Sequence, residues 1–504
     1  MKRLLSTLVA LAMLATMALV PSMALAEGDY AVEINIMTAL YSPVDMENEF
    51  WTGIQDLIGV KMNVEWVPAG TEFDTKMELL IASNDVPEVM SIEGAQNLNL
   101  LRAINEGYFW NVKDYIGDLN DTSTYPNMKT NIPQMAWGFL SNNGGYYRIP
   151  RPRAYLNTTV MVRSDWFAKA GVEDPSVMTI DQYADALETI VKGDYDGNGI
   201  ADTIGTTFME ELDGAFGNWN MTLNEDGKIL PRQLSPQYAD FVEWYASLYS
   251  RGLMSAEFSV VTDSQFDEMV MAGRMASKYK NIWHRYNWIV NTEKVQPGAN
   301  YMPVAALTNG EYTFSRFDPG YVGAIVISSK VPEEKMIKIL DNYIEKTLSF
   351  DVTGYITYGQ EGLHHTVDAN GIKTLTELGA LQVNNSANIP FAIYCSEWFK
   401  VDSPVAPYEF NLETRDMASK IYAYGRVNPW NVLKSDTWSA EYPTYRLDFE
   451  AMRTKAITGA ATMDEFRAYQ QTLLSDPLVQ QAIEEFTASR NEFFPDGNTK
   501  LGKE

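Results

Sequence analysis

The stretch AVEINIMTALYSPVDMENEFWTGIQDLIGVKMNVEWVP, residues 31–68, carries the pattern on which the fold prediction depends. Apolar and polar residues alternate over residues 32–36 and again over residues 61–67, which is typical of half-buried strands. Between these strands, from Asp45 onward, apolar residues recur at helical spacing. Because strand, helix and strand follow each other with brief connections, this stretch predicts a parallel sheet with helices packed on it.

The same order of elements continues along the chain. A helical pattern at residues 73–82 leads into VPEVMSIEG, residues 86–94, which predicts a third strand. After Arg151 the pattern restarts with TTVMVRSDW, and GYVGAIVIS, residues 320–328, is typical of a buried strand. A chain of 504 residues is long enough to bury a large core in two domains. We therefore predict an α/β protein of two domains.

The charge and the cysteine content exclude several classes of protein. Acidic residues number 66 against 39 basic ones, and the net charge is −27. Such a chain repels phosphate backbones and anionic lipids, so we expect no nucleic-acid binding and no binding to membrane surfaces. Cys395 is the only cysteine, which excludes an intramolecular disulfide.

The N-terminus has the pattern of a secretory signal peptide. Lys2 and Arg3 precede an apolar run over residues 4–20, and the small-x-small motif at residues 24–26 predicts cleavage after Ala26. A membrane anchor is the alternative, but the apolar run is short for a membrane span. Because no cysteine stands directly after the cleavage point, we expect a periplasmic or extracellular protein without a lipid anchor.

A loop with calcium-binding spacing lies in KGDYDGNGIADTIG, residues 192–205. Gly199 stands at position 6, where an EF-hand loop needs a glycine for its sharp bend, but Gly205 stands at position 12 in place of the bidentate Glu. A metal-free turn is the alternative, because Asp, Asn and Gly also favour tight turns. The oxygen donors at positions 1, 3, 5, 7 and 9 are predicted to be Asp194, Asp196, Asn198, the backbone carbonyl of Ile200, and Asp202.

This loop is predicted to be structural and not a sensor. A helix with the capping box Thr179 and Gln182 leads to it and ends at Gly193, but no helix pattern follows Gly205 directly. No second loop is present to pair with it. Extracellular calcium is abundant enough to fill a weak site permanently, so we expect calcium to hold the end of the helix.

Four segments together resemble the extracellular solute-binding proteins of ABC importers, in the large oligosaccharide-binding group that includes alginate- and uronate-oligosaccharide binders. The segments are MELLIASNDVPEVMSIEG at residues 77–94, the block YRIPRPRAYLNTT to TIG at residues 147–205, YGQEGLHHTVDANG at residues 358–371, and KAITGAATMDEFRAY at residues 455–469. The resemblance covers nearly the whole chain after the signal peptide. In that family position 10 of the calcium loop is a Glu, and Thr203 stands there in this chain, which implies weakened calcium binding.

The resemblance implies a type II periplasmic-binding-protein fold, with two lobes that close over a ligand. Each lobe would hold a mainly parallel sheet wrapped by helices, and the chain would cross the hinge near residues 153–158, near residues 318–323, and again between residues 362 and 385. The implied organisation is a signal peptide at residues 1–26, a first lobe at residues 27–152 with 324–385, and a second lobe at residues 153–323 with 386–504.

Candidate ligand contacts combine aromatic faces with fork-like polar groups, as recognition of sugar rings and hydroxyls requires. The aromatic groups come from NIWHRYNW, GAFGNWN and GRVNPWN, and two arginines lie beside the first hinge crossing, where they could pair with a ligand carboxylate. A tryptophan is more often a core residue than a cleft residue, so the alternative for each predicted tryptophan is a place in the core. The predicted contacts are Trp219, Trp283, Tyr286, Trp288, Trp430, Arg151 and Arg153.

The function predicted from the resemblance is capture of a carbohydrate, expected to be an oligosaccharide, and its delivery to an ABC permease by a monomeric protein without enzymatic activity. The alternatives are a secreted glycosidase or lyase and a binding protein for peptides or other small solutes. Three histidines and one cysteine leave few nucleophile–base pairs, and neither a G-x-S-x-G nor an HExxH motif occurs. The order of strands and helices does not exclude a peptide ligand, because fold does not fix function.

Overall fold

The structure, a computed structural model, describes residues 30–93, 97–200, 202–368, 373–383, 390–399, 401–403 and 406–494. The predicted signal peptide lies outside the described residues. No helix in these ranges is long and apolar enough to cross a membrane.

The strands fall into a first group before the calcium-like loop and a second group after it. They are β1 Val32–Leu40, β2 Val60–Pro68, β3 Val89–Glu93, β4 Ile149–Pro152, β5 Thr158–Arg163, β6 Val177–Thr179, β7 Ser277–Asn281, β8 Tyr301–Pro303, β9 Ala306–Thr308, β10 Thr313–Phe314, β11 Arg316–Phe317, β12 Tyr321–Ile327, β13 His365–Val367, β14 Lys373–Leu375 and β15 Arg426–Val427.

The α-helices lie between and after these strands, with the longest near the C-terminus. They are α1 Glu49–Ile58, α2 Thr71–Ala82, α3 Leu98–Asn105, α4 Lys113–Ile116, α5 Pro126–Asn131, α6 Gln134–Leu140, α7 Ser164–Lys169, α8 Ile180–Lys192, α9 Pro236–Ser250, α10 Asp263–Met271, α11 His284–Thr292, α12 Glu333–Lys338, α13 Glu345–Thr347, α14 Phe350–Tyr358, α15 Glu377–Gln382, α16 Tyr408–Ser419, α17 Asp436–Thr458, α18 Met463–Leu474 and α19 Pro477–Phe493. A π-helical segment, Ile339–Ile344, joins α12 to α13.

The first lobe is built on a five-stranded sheet in the order β2-β1-β3-β12-β4. β1 pairs in parallel with β2 and with β3, as the sequence pattern predicts. β12 runs antiparallel to both β3 and β4, because it enters this sheet from the hinge. Gly323 in β12 has no room for a side chain, since a Cβ there would overlap the carbonyl oxygen of Ile92 on β3.

Both faces of this sheet are buried, which is typical of an α/β sheet. Along β12, Ile325 and Ile327 pack toward α1 and the helices α12–α14, whereas Ala324 and Val326 pack toward α2 and α3. The side chains therefore alternate between two apolar layers, and the α/β prediction is confirmed.

The second lobe has a mixed and not a mainly parallel sheet arrangement, which corrects the expectation for this lobe. β5 pairs antiparallel with both β7 and β8, whereas β6 pairs in parallel with β9. β5 is antiparallel to its neighbours for the same reason as β12, because it too enters its lobe directly from the hinge. Val160 and Val162 of β5 pack in one apolar core with α8, α9 and the C-terminal helices α17–α19.

Two hinge segments hydrogen-bond to each other where the chain passes between the two cores. The backbone N–H of Arg153 donates to the carbonyl of Gly320 at 2.9 Å, and that of Asp318 donates to the carbonyl of Tyr155 at 2.9 Å. Around them lies a further apolar cluster that includes Phe139 of α6, Phe317 and Val427.

The third passage lies later in the chain than predicted. Phe391, Ala392 and Ile393 are buried in the core of the first lobe, and the Sγ of Cys395 lies 3.2 Å from the carbonyl oxygen of Pro152. Val401 already belongs to the hinge cluster. The chain therefore leaves the first lobe after these apolar residues and not between residues 362 and 385, and the second-lobe segment does not begin at residue 386. The other domain boundaries stay predictions.

Candidate functional site

A hollow of about 550 Å3 lies between the two lobes at the hinge. The first lobe contributes Leu101 of α3, and the second lobe contributes residues of the segment 430–439. The hinge contributes Arg316, Asp318, Pro319, Tyr321 and Val322. This volume falls within the range of small-molecule sites. Because both lobes line the hollow, a ligand bound here would contact both and would stabilise their closed arrangement.

The hinge side of the hollow is a continuous polar network. Asn281 donates its amide to the Oδ1 of Asn157 at 2.6 Å, and Asn157 donates in turn to Asp318. Asp318 forms an ion pair with Arg316 at 2.8 Å, and Arg316 donates to the hydroxyl of Tyr279 at 2.6 Å. Burial raises the pKa of Tyr279, so its hydroxyl remains protonated and available as a donor. These groups supply the hydrogen-bond donors and acceptors that a hydroxyl-rich ligand needs.

Trp430 supplies an aromatic surface in the hollow. Asn428 caps the short 3-10 turn Pro429–Asn431, its Oδ1 accepting from the N–H of Trp430 at 3.1 Å. The indole N–H donates to the carbonyl of Asn218 at 3.0 Å, and the ring meets Phe486 edge to face. The ring is therefore held in one orientation while part of it stays exposed.

A second polar group lies at the carboxyl edge of the first-lobe sheet, where ligands of open α/β sheets usually bind. Tyr41 follows β1, Glu93 ends β3, and Arg151 lies in β4 two residues before Arg153. The hydroxyl of Tyr41 donates to Glu93, and partial burial and this hydrogen bond raise the pKa of Tyr41. Arg151 and Arg153 thus lie beside the hinge, as predicted. Tyr41 and Glu93, which the sequence patterns did not single out, lie at the same edge of the sheet.

Two predicted ligand contacts are core residues, and these two predictions are wrong. Trp219 is 0% exposed and donates its indole N–H to Asp213 at 3.0 Å. The adjacent glycine Gly214 leaves room for that ring, since a Cβ there would lie 2.9 Å from it, so the glycine serves packing and not exposure. Trp288 is 1% exposed on the inner face of α11, against Tyr301.

Of the other predicted contacts, Trp283, Tyr286, Trp430 and Arg153 are partly exposed, whereas Arg151 is buried. Trp283 lies two residues after Asn281 of the hinge network, and its ring packs at a tilt of 41° against that of His284, with ring centroids 4.3 Å apart. Tyr286 packs edge to face on Phe410 of α16, so it does not line the hollow. The Arg153 guanidinium lies 5.3 Å from the ring centroid of Phe399. A role for these residues in ligand binding stays a prediction.

The sequence patterns missed Arg316, Asp318 and Tyr279. Asp318 falls inside the predicted second hinge crossing, and a search for polar residues within the crossings would have found it. Tyr279 lies inside a strand, where an aromatic residue is ordinarily a packing residue. Its link to the hollow through Arg316 follows only from how β7 and the hinge segment pack together.

The calcium-like loop gathers its carboxylates around one amide. Asn198 donates from Nδ2 to Asp196 at 2.8 Å and to Asp202 at 2.9 Å. Asp194 accepts from the N–H of Gly199 at 2.9 Å, and Gly199 has φ +83°, which explains the glycine. Partial burial and the neighbouring Asp194 and Asp202 raise the pKa of Asp196. Crowded like charges of this kind are relieved by a cation.

The oxygen donors of this loop are of the type that a hard cation prefers, although they lie farther apart than the ligands of a bound metal ion. In the described ranges no three His, Cys, Asp or Glu side chains converge closely enough to form one. Thr203 is 4% exposed, and its hydroxyl has no hydrogen-bond partner within the described part of the chain. A threonine hydroxyl does not replace the bidentate carboxylate, so the remaining donors are the three aspartates, Asn198 and the carbonyl of Ile200.

Two α/β lobes around a hinge that the chain crosses more than once, with a hollow between them, define a solute-binding protein fold. No family model matches the chain. Lipoprotein LipO of Bacillus subtilis (strain 168) is 24% identical over 437 residues, which cover 81% of this chain and 82% of that protein. Polygalacturonan/rhamnogalacturonan-binding protein YtcQ of the same organism is 22% identical over 360 residues, or 67% of each chain.

Among solved structures, that of alginate-binding protein AlgQ2 without calcium ion has a TM-score of 0.66 at 16% identity, over 92% of this chain and 99% of that chain. The chain is thus similar in sequence to these curated proteins and shares the two-lobe fold of the solute-binding proteins, which confirms the resemblance noted in the sequence.

Proposed function

We propose that this protein captures an oligosaccharide in the cleft between its lobes and delivers it to an ABC permease. The observation that carries the proposal is the hinge hollow, because both lobes line it and it joins an oriented indole to a network of amide, carboxylate and guanidinium groups. Sugar rings pack their C–H faces on aromatic rings, and their hydroxyls bind such polar groups.

The relatives support a carbohydrate cargo. The name of YtcQ describes binding of polygalacturonan and rhamnogalacturonan, and that of AlgQ2 describes binding of alginate. A two-lobe protein binds by closing around its ligand. Its function therefore requires a conformational change between open and closed arrangements and no chemical reaction. We expect no turnover of the bound sugar.

The expected location is outside the cytoplasm, where an importer collects its cargo. The proposed binding partner is the membrane permease, and the protein is proposed to act as a monomer. Whether a lipid attaches the exported chain is decided by mass spectrometry of the mature N-terminus in its host, with cleavage after Ala26 and an unmodified end as the expected result.

Weak binding of calcium is a further part of this proposal. Asp194, Asp196, Asn198, Asp202 and the carbonyl of Ile200 would hold the ion. The pKa of Asp196, raised by partial burial and by its acidic neighbours, and the glycine-dependent bend of the loop support it. The ion would fix the loop that follows α8 and would take no part in ligand exchange.

Thermal unfolding of the mature protein with a panel of oligosaccharides, peptides and small solutes tests the main proposal. A ligand that binds only the folded chain stabilises it by about 2.7 kcal/mol at a hundredfold excess over its dissociation constant. A shift with one class of oligosaccharide, without breakdown of that sugar by chromatography, is the expected result. A shift with peptides alone would contradict the carbohydrate cargo, and breakdown of the sugar would contradict the absence of catalysis.

A further inference from the structure

Two cations from different lobes meet at one carbonyl oxygen beside the hinge hollow. The Nη2 of Arg148 in the first lobe and the Nζ of Lys434 in the second each lie 3.4 Å from the carbonyl oxygen of Ser141. Because both nitrogens approach the same atom, they lie no farther apart than twice that distance. Arg148 and Lys434 therefore form a like-charge contact between the lobes.

The backbone of the first lobe holds Ser141 and Arg148 on facing sides of a tight turn. Asn142 and Gly145 exchange backbone hydrogen bonds of 3.0 and 2.9 Å, and the two residues between them have positive φ, which is typical of a hairpin turn. Arg148 directly precedes β4 and is 0% exposed, so its side chain does not reach solvent. Burial lowers the pKa of Arg148 to about 10, and the guanidinium keeps its charge at neutral pH.

The C-terminal helix α19 fixes Lys434 in the second lobe. The backbone N–H of Lys434 donates to the Oγ of Ser489 at 3.0 Å, and its Nζ lies 5.6 Å from the ring centroid of Phe493. The next residue is tied to the same helix, because the hydroxyl of Ser435 donates to Glu485 at 2.7 Å. Lys434 thus extends from a rigid part of its lobe, lines the hollow and contacts the first lobe.

Nearby carboxylates do not neutralise Lys434. Among the described residues Lys434 forms no ion pair, and the acidic residues that act on its pKa, Glu492 and Asp436, are both exposed. Burial and, after it, the positive charge of Arg148 lower the pKa of Lys434, and the two carboxylates oppose this effect without cancelling it. Asp318, the other carboxylate that lines the hollow, is already in an ion pair within the hinge.

The carbonyl of Ser141 offsets the repulsion only in part. Both distances of 3.4 Å exceed the usual range of about 2.7–3.2 Å for an N–H···O hydrogen bond, so each of these two bonds is weak. Two charges this close repel more strongly in a protein than in water, and salt screens a partly buried pair less than an exposed one. Since the two charges belong to different lobes, the repulsion grows as the lobes close and falls as they separate.

We propose that the like-charge contact of Arg148 and Lys434 holds the ligand-free lobes apart and makes their closure depend on the ligand. The inference rests on the proposed function and concerns the regulation of the same site. A two-lobe protein populates its open and closed arrangements according to their free energies, and a ligand shifts this population by its preference for the closed one. The contact raises the free energy of the closed arrangement, so it keeps the empty cleft accessible.

The contact also lowers the apparent affinity, because part of the binding free energy is used to close the lobes. Removing one charge should therefore improve binding, whereas removing a ligand contact or a packing contact would weaken it. Lys434→Met keeps a long apolar side chain and removes the charge, and Lys434→Glu places an anion opposite Arg148. The affinity for the oligosaccharide found in the panel should rise about three- to tenfold in Lys434→Met and further in Lys434→Glu.

Calorimetry on the mature full-length protein measures these affinities, with two further variants that assign the effect to this pair. Lys455→Met removes the same charge from an exposed position on α17, and its affinity should match wild type. In an Arg148→Met background, Lys434→Met should give no further gain, because the repulsion is already absent. A fall in affinity for Lys434→Met, or an equal gain for Lys434→Met in both backgrounds, would overturn the inference.

A distance between the lobes tests the same inference without any sugar. Leu79 on α2 and Leu447 on α17 are both exposed, so spin labels on Leu79→Cys and Leu447→Cys in a Cys395→Ser background report it. We expect the ligand-free distances in Lys434→Met to be shorter than in wild type and those in Lys455→Met to be unchanged. Equal distances in Lys434→Met and wild type would overturn the inference. If no oligosaccharide binds, the proposed function fails, and this measurement still decides whether the contact holds the lobes apart.

Discussion

Trp430 is the single aromatic residue whose removal should affect ligand binding most. Its ring lines the hollow in a fixed orientation, so a sugar loses its packing surface when the ring is removed. We expect Trp430→Ala to weaken binding of the oligosaccharide found in the panel by at least tenfold, as calorimetry would measure. The variant also loses packing on Phe486 and should be destabilised by about 2–4 kcal/mol.

The control for Trp430 is a tryptophan of similar burial away from the cleft. Trp244 packs between Tyr183 and Phe216 in the second-lobe core, so Trp244→Ala should lower stability and leave affinity unchanged. If both variants retained wild-type affinity, Trp430 would not be a ligand contact.

We expect the free energy of unfolding to fall in mild acid because of His284. Burial and the charge of Lys280 lower the pKa of His284 to about 4, whereas the unfolded chain has a value near 6.5. Lys278 also lowers this pKa, and Asp263 and Asp267 oppose the effect. As the pH falls from 6.5 toward 4, the unfolded chain takes up a proton that the folded chain does not, so stability is lost in this window.

Denaturant unfolding between pH 4.5 and pH 7 checks this effect. His284→Gln removes the titrating group, and its stability should fall less than that of wild type over this range, by about 1–2 kcal/mol after allowance for the exposed part of the ring. Asn287→Ala, an exposed change on the same helix, should keep the wild-type slope. A His284→Gln profile parallel to wild type would contradict the lowered pKa.

At the scale of single residues, sequence patterns could select residue types but not their surroundings. Trp219, Trp288 and Trp430 all lie in aromatic, loop-like stretches, yet only Trp430 lines the hollow. Gly214 leaves the space that the buried ring of Trp219 fills, and the stretch GAFGNWN alone does not reveal this contact.

At the scale of elements, the calcium-like loop gives the next prediction. A millimolar site filled at about ten times its dissociation constant contributes about 1.4 kcal/mol, so calcium should raise the unfolding midpoint of wild type by about 1–2 °C relative to chelator. Asp194→Ala should abolish the rise. Thr203→Glu, which restores a carboxylate at position 10, should tighten calcium binding at least tenfold by calorimetry.

The control for the loop is an aspartate in an ordinary turn. Asp226 lies in the turn that Asn224 and Lys228 close, and Asp226→Ala should leave the calcium response unchanged. An equal response in chelator and in calcium for wild type would show that the loop is a metal-free turn. A response that persists in Asp194→Ala would place the ion elsewhere.

Local elements followed closely from sequence, and their pairing did not. The capping box of Thr179 and Gln182 forms as predicted, with hydrogen bonds of 3.0 and 2.9 Å, because a cap depends on four successive residues. The antiparallel pairing of β5 depends instead on how the chain enters the second lobe. The late third crossing has the same origin, since Phe391 is placed by distant core partners such as Trp51.

At the scale of the whole molecule, the hinge and the contact between lobes determine what binding can do. α17 of the second lobe packs against α3 of the first, and both line the hollow together with the hinge. The two hinge segments are hydrogen-bonded to each other at residues 153–155 and 318–320. We therefore expect them to move together when the lobes open or close. A ligand that contacts both lobes should therefore shift the population toward the closed arrangement, in proportion to its preference for that state.

Small-angle X-ray scattering measures this closure directly. A folded chain of this size has a radius of gyration of about 23 Å, and we expect a decrease of about 0.5–1 Å when the oligosaccharide saturates the protein. Trp430→Ala, at a concentration where the ligand no longer binds, should show no decrease. An unchanged radius with fully bound ligand would mean that the lobes are already closed without it, and the hinge would then act in release to the permease and not in capture.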